Sequence, residues 1–231
     1  GWWKIKPENI ESIIQKSIDS IDHRGPDDKG IDFATDQNGT MFIGQTRLSI
    51  IDLSEGGHQP RTSDDGRFTI TFNGEIYNYK ELRQELMGLG HEFVTESDTE
   101  VLANAYLQYG EKCVDYFEGM WAFAIWDDKI KKLFLSRDRF GEKPLFYYKN
   151  QKGIYFGSEI KFIKSLSSDN FIINKDKINF NLLHGYKSIF QDNTSYFRNV
   201  LFLESGHNFI IDSNLNKKKY KYWTPIIKQN K

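Results

Sequence analysis

Met120-Trp121-Ala122-Phe123-Ala124-Ile125-Trp126-Asp127 is apolar at every position before the closing aspartate. A strand with one wet face alternates apolar and polar side chains, so a continuous apolar run of this length predicts a strand covered on both faces. Downstream, KLFLSR (132–137), PLFYYKN (144–150) and GIYFGS (153–158) read as successive antiparallel strands, with a turn over Asn150 to Gly153 and a short helix starting at Ser158. Upstream, Met41 to Leu53 and Phe68 to Phe72 are rich in β-branched and aromatic residues bordered by Gly or Asp, which favours strands, and SEGGHQP (54–60) is a loop between them.

Helical signals alternate with these blocks. Ile10, Ile13, Ile14, Ile18 and Ile21 form one apolar stripe after Pro7, a residue suited to a first turn, and predict a helix from about 7 to 22. HRGPDDKG (23–30) combines Gly, Pro and Asp and is expected to be a turn. Leu82, Leu86 and Leu89 mark a short helix closed by Gly90, and Ser97 with Glu100 forms a capping box for a helix from about Thr99 to Tyr109. The tail from about 170 to 223 is less regular, with VLFLESGHNFII (200–211) expected as a hairpin around Ser205-Gly206. The pattern predicts an α+β sandwich, two packed antiparallel sheets with helices outside.

With 231 residues, 39% of them hydrophobic, the chain can bury one substantial core or carry an appendage on it. Its 31 basic and 32 acidic residues give a net charge of -1, so no overall field attracts nucleic acid or an anionic membrane. The cluster Lys217, Lys218, Lys219 and Lys221 has no aromatic-interleaved surface elsewhere to extend it and is expected to be solvated, not a nucleic-acid site. A single cysteine, Cys113, excludes an intrachain disulfide and fits a reducing compartment. No run approaches the roughly 20 apolar residues of a membrane span, and no leader pattern opens the chain; a cytoplasmic protein is expected. Both ends read as cut. Gly1-Trp2-Trp3 enters an apolar strand partway, and KYWTPIIKQNK (221–231) reads as an interdomain connection.

Three places can carry chemistry. At Phe72-Asn73-Gly74-Glu75 an Asn amide and an adjacent backbone N–H can both face an oxyanion, although Asn-Gly is also a common turn dipeptide. Arg47 interrupts an apolar strand, where a guanidinium needs a carboxylate, either a ligand's or one of the chain's own. Asp98, with Glu75 assisting, can accept an α-ammonium group, or it can simply cap the helix that follows.

Taken in order, RLSIID (47–52), FNGEIYNY (72–79) and ESDTE (96–100), together with HRGPDDKG, GGHQP (56–60), GMWAFAIWD (119–127) and RDRFGEKPLFY (137–147), resemble the asparagine-synthetase branch of the class II glutamine amidotransferases over most of the chain. The resemblance implies a four-layer αββα fold of the N-terminal-nucleophile hydrolase type, in which a terminal Cys, with its own α-amine as base, attacks the side-chain amide of L-glutamine. It implies that Asn73 and Gly74 stabilise the oxyanion and that Arg47 holds the substrate carboxylate. Asp98 and Glu75 would meet the ammonium group, and backbone groups of Leu48, Ser49, Ile50 and Ile51 complete the pocket. Ammonia would pass to an attached or partner synthetase domain that uses ATP and magnesium to activate aspartate; no cofactor is expected in this chain, and a homodimer is among the assemblies the resemblance allows. Residues 1–165 would form the glutaminase core and 166–231 its C-terminal extension and the start of the linker.

The chain departs from that pattern in one respect that bears on catalysis. The nucleophilic Cys falls upstream of Gly1, so the chain as it stands is expected to bind glutamine weakly and not to hydrolyse it; the alternative is a non-catalytic amidotransferase-like module for assembly or glutamine sensing. Cys113, in EKCVDYF (111–117), reads as a buried thiol and not a substitute, with His23, His58 and His91 its partners only on paper. Gln45 stands where relatives often carry His. Arg137, Asp138 and Arg139 are expected to form an ion-pair network at a turn.

Overall fold

The computed structural model describes residues 1–4, 7–37, 39–48, 55–185 and 192–226. Its strands are β1 (Trp2–Trp3), β2 (Asp28–Asp36), β3 (Gly39–Arg47), β4 (Arg61–Thr62), β5 (Phe68–Ile76), β6 (Gly119–Asp127), β7 (Lys132–Arg137), β8 (Phe146–Lys149), β9 (Gly153–Gly157), β10 (Val200–Phe202), β11 (His207–Asp212) and β12 (Lys217–Lys221). The α-helices are α1 (Ile10–Asp19), α2 (Tyr79–Gly88), α3 (Asp98–Tyr109), α4 (Ile160–Ser167) and α5 (Lys175–His184). One six-stranded sheet runs β10-β8-β9-β1-β3-β2 and the other β12-β11-β7-β6-β5-β4.

Side chains alternate across a strand, and that alternation sorts the core into three spaces. Trp2, Met41, Ile43, Ala122, Ala124, Leu133, Leu135, Ile154 and Phe156 meet between the two sheets. Their sequence neighbours point the other way: Trp3, Phe42 and Tyr155 pack on Ile10, Ile14 and Ile18 of α1 and on Phe162, Ile163 and Leu166 of α4. On the far side, Phe68, Ile70, Phe72, Trp121, Phe123, Ile125 and Phe134 pack on Leu82 and Leu86 of α2 and on Val101, Leu102, Ala105 and Tyr106 of α3. The result is helix, sheet, sheet, helix. The continuous apolar run of β6 is explained by this arrangement, because its odd residues face helices and its even residues face the other sheet. Asp127 ends the run: fully buried, it accepts from Arg67 Nε and Nη2 at 3.1 and 2.8 Å and from the backbone N–H groups of Lys129 and Ile130 in the turn to β7.

Several expectations need correction. The helix predicted from about 7 to 22 starts at Ile10 and gives way to a 3-10 turn at Asp22–Arg24. HRGPDDKG is a turn only in its first half, since Asp28, Lys29 and Gly30 already pair with Arg47, Thr46 and Gln45 as the start of β2. The segment 200–211 is not a hairpin: β10 pairs with β8 in one sheet, and β11 pairs with β7 and β12 in the other. Leu203, fully buried between the sheets, anchors the chain as it crosses from one to the other. The Ser97–Glu100 capping box is half formed. Ser97 Oγ accepts from Thr99 N–H at 3.1 Å, but Glu100 turns away to an ion pair with Arg61 at 2.9 Å and to the N–H groups of Val94 and Thr95. No helix among the described residues is long and apolar enough to cross a membrane.

Leu135 is fully buried between the sheets, so shortening it leaves a cavity there. Leu135→Ala is expected to lose about 2 to 5 kcal/mol of stability, read as a lower urea midpoint with unchanged slope; a loss below about 1 kcal/mol would mean the inter-sheet packing is looser than described.

Candidate active site

The site is built on one edge of β5. Within its antiparallel pairing to β6, successive residues of β5 turn their backbone N–H and C=O alternately toward and away from that neighbour. The away-facing edge is partnered first by β4, where Arg61 stands opposite Ile70. Two residues on, β4 has ended, and side chains take its place: Phe72 N–H donates to Gln59 Oε1 at 2.7 Å, and Phe72 C=O accepts from Gln45 Nε2 at 2.9 Å. Further along the same edge, Ile76 N–H donates to Asp98 Oδ2 at 3.1 Å. Between these two anchors lies Gly74, whose N–H shares the edge by the same alternation and lines a cavity of about 310 Å³. A Cβ on Gly74 would sit 2.2 Å from the Met120 carbonyl oxygen, so the strand tolerates no side chain there.

Strand alternation also aims the side chains. Phe72 and Ile76 are buried on the helix side, so Asn73 and Glu75 face the other sheet. Asn73 Nδ2 reaches Ser158 Oγ, just beyond β9, at 3.4 Å. Across the cavity, β3 ends at Arg47, which is half-buried and reached only because Gly57 carries no side chain; a Cβ there would lie 1.9 Å from the guanidinium. Asp98 is the first residue of α3 and is 5% exposed. Burial raises its carboxyl to about 6 against the stabilising N–H groups of Ile76 and Thr99, and the nearby Glu75 adds to the rise. A carboxylate so destabilised is suited to an incoming cation.

The cavity thus gathers Arg47, Leu48, Asn73, Gly74, Glu75 and Asp98 around one space. Ser49, Ile50 and Ile51, expected to complete the pocket, lie outside the described residues. The turn reading of Asn73-Gly74 is overturned, since both residues pair with Ala122 and Trp121 inside β5. So is helix capping by Asp98: Ser97 is the cap, and Asp98 bonds back to the strand. Gln59, Gly57 and Ser158 also line the cavity and were not singled out by sequence reading; the GGHQP motif was the available signal for the first two.

The ion-pair network expected at Arg137, Asp138 and Arg139 is instead a web of bonds to the backbone. Asp138 accepts from the N–H groups of Trp121, Phe140, Gly141, Glu142 and Lys143, while Arg137 donates to the carbonyls of Lys143, Gly141 and Leu203. Cys113 is fully buried and burial pushes its thiol up, away from reactivity. His23 bonds Glu159, His58 bonds Asp28 and His91 bonds Gln108. Among the described residues no group of three His, Cys, Asp or Glu side chains is disposed to hold a metal ion.

Two layered antiparallel sheets thus hold an arginine, a buried carboxylate and a side-chain and a backbone amide around one cavity. The chain belongs to the glutamine amidotransferase domain family, whose model matches residues 1–223. It is 42% identical over 167 residues to "Asparagine synthetase [glutamine-hydrolyzing] 3" of Bacillus subtilis, covering 71% of this chain and 26% of that protein. It is 38% identical over 233 residues to "Putative asparagine synthetase [glutamine-hydrolyzing] 2" of Methanocaldococcus jannaschii, covering 94% and 44%. The chain therefore spans less than half the length of either relative. The solved structure of glutamine phosphoribosylpyrophosphate amidotransferase from B. subtilis, complexed with ADP and GMP, shares the fold with a TM-score of 0.67 at 19% identity, over 97% of this chain and 49% of that one.

The raised carboxyl of Asp98 has a measurable signature. Its folded value lies above its ordinary value near 3.8, so the stability it contributes is complete below about pH 4 and is lost as pH rises through about 6. Asp98→Asn has no proton to lose. Its stability relative to the parent is expected to improve between pH 4 and pH 7, and a constant difference across that range in urea unfolding would contradict the assignment.

Proposed function

We propose that the cavity takes L-glutamine and that this domain is the glutaminase half of a glutamine-hydrolysing asparagine synthetase. The convergence of Arg47, Asp98 with Glu75, and Asn73 with Gly74 in one cavity carries the reading. Arg47 pairs with the α-carboxylate, Asp98 and Glu75 take the α-ammonium, and the Asn73 amide and Gly74 N–H receive the oxygen of the side-chain amide as it becomes an oxyanion.

The chemistry needs a nucleophile, and the register of β1 supports its supply from upstream. Gly1 exchanges both backbone bonds with Phe42, 2.7 and 2.8 Å, while Trp2 stands opposite Met41 on one side and Ile154 on the other. A chain continued upstream of Gly1 in that register runs opposite Ile43, Gly44 and Gln45 of β3 and Phe156, Gly157 and Ser158 after Tyr155, all of which line the cavity. A Cys delivered there stands beside Asn73. Its sulfur adds to the amide carbon, the carbon–nitrogen bond breaks, and nitrogen leaves as ammonia with the proton the terminal amine took from the thiol. Water then cleaves the thioester to glutamate. The ATP- and magnesium-dependent activation of aspartate is assigned to a synthetase domain and to no residue of this chain.

The test uses the protein encoded by the whole reading frame that contains this domain. Arg47→Ala is expected to raise KM for glutamine about 10-fold or more, and Asn73→Ala to lower glutamine-dependent kcat by about 100-fold, while synthesis supplied with ammonia continues at the parental rate. Undiminished glutamine use by both variants would sink the proposal.

A further inference from the structure

Phe72 immediately precedes the two oxyanion donors, and both of its edge-facing backbone groups are held by side-chain amides. Gln59, just ahead of β4, takes its N–H, and Gln45, from β3 of the other sheet, holds its C=O. A planar amide has a donor and an acceptor to offer, and each glutamine uses its second group to reach another point. Gln59 Nε2 donates to Thr99 Oγ1 at 3.2 Å, beside Asp98 at the start of α3, and Gln45 Oε1 accepts from the Thr71 hydroxyl. Gln59 is itself 7% exposed, so its amide has no solvent to fall back on.

We infer that Gln45 and Gln59 are positioning residues for Asn73 and Gly74, a clamp that substitutes for the strand missing beyond β4; the inference rests on the reading of the cavity proposed above. Gly74 has no side chain by which packing could fix it, and a Cβ would collide with β6. Its N–H is therefore aimed by the backbone on either side, by the clamp at Phe72 and by the Ile76–Asp98 bond. Slack in the strand at Phe72 would carry the Asn73 amide, and the Gly74 N–H one peptide further on, away from the developing charge. Such misalignment damages the transition state more than the bound substrate, whose head group is held elsewhere.

The experiment measures glutamine-dependent and ammonia-dependent synthesis in the full-length protein. Gln59→Leu is expected to lower glutamine-dependent kcat about 10- to 100-fold, with KM for glutamine within about threefold and ammonia-dependent activity unchanged. Gln45→Glu is nearly isosteric and is the second variant, expected to keep the fold. Its carboxylate repels the Phe72 carbonyl, and its protonated form restores a donor, so its kcat relative to the parent is expected to rise as pH falls toward 5. A kcat equal to the parent's in either variant, or a Gln45→Glu ratio independent of pH, would overturn the inference. If Asn73→Ala abolishes glutamine use while both glutamine variants retain it, only the clamp fails; if Asn73→Ala is also harmless, the reading of the cavity fails.

Discussion

An exposed or half-exposed strand edge must find partners for its backbone polar groups, and the away-facing edge of β5 finds a different kind of partner at each step. Strand β4 serves Ile70, two side-chain amides serve Phe72, and the Asp98 carboxylate serves Ile76. Buried N–H and C=O groups are costly when unmade, so the residues around this edge are constrained by the strand before any ligand is considered. The site occupies the interval in which the edge is least like a sheet.

Three of the four layers of the sandwich contribute to that interval. Arg47 comes from the end of β3 in one sheet, Asn73 to Glu75 from β5 in the other, and Asp98 from the first turn of an outer helix. The inter-sheet core holds these sources at fixed separation: Trp2, Met41 and Ile43 of one sheet pack against Ala122 and Ala124 of the other. Small residues in β6 facing large ones across the gap let the sheets approach, and interiors so packed transmit little slack. A cavity made by three rigid elements keeps its lining side chains in fixed relation to one another.

Sequence reading recovered the layers because their cause is local. The unbroken apolar run at 120–126, the isoleucine stripe of α1 and the leucines of α2 each state which face is buried. It recovered the identities at the cavity through resemblance, since Arg47, Asn73 and Asp98 each had an ordinary structural explanation when read singly. What it could not supply was long-range: the failed hairpin at 200–211 joins strands of different sheets, β2 begins inside a segment rich in turn residues, and α5 leaves Leu182 and Leu183 exposed and so shows no buried stripe. Sequence reading marked Gln45 only as a departure from relatives and Gln59 only as part of GGHQP, with no role for either, because their meaning lies in which backbone group each one reaches across the fold.

Two sorts of buried polar side chain can be told apart by how completely they are satisfied. Asp138, 1% exposed, accepts the backbone N–H groups of Trp121 and of Phe140 through Lys143 and fixes the loop that carries Lys143 to the cavity and sets Phe140 against Trp223 at a ring separation of 5.1 Å. Its bonding capacity is used within the protein, and it makes a rigid wall. Asp98 is almost as buried, but burial outweighs the N–H groups offered to it and its carboxyl is raised to about 6. The difference in how their bonding capacity is met separates the two more clearly than burial alone. A saturated carboxylate stabilises its own loop, whereas one left short of positive partners has most to gain when a ligand brings a positive charge.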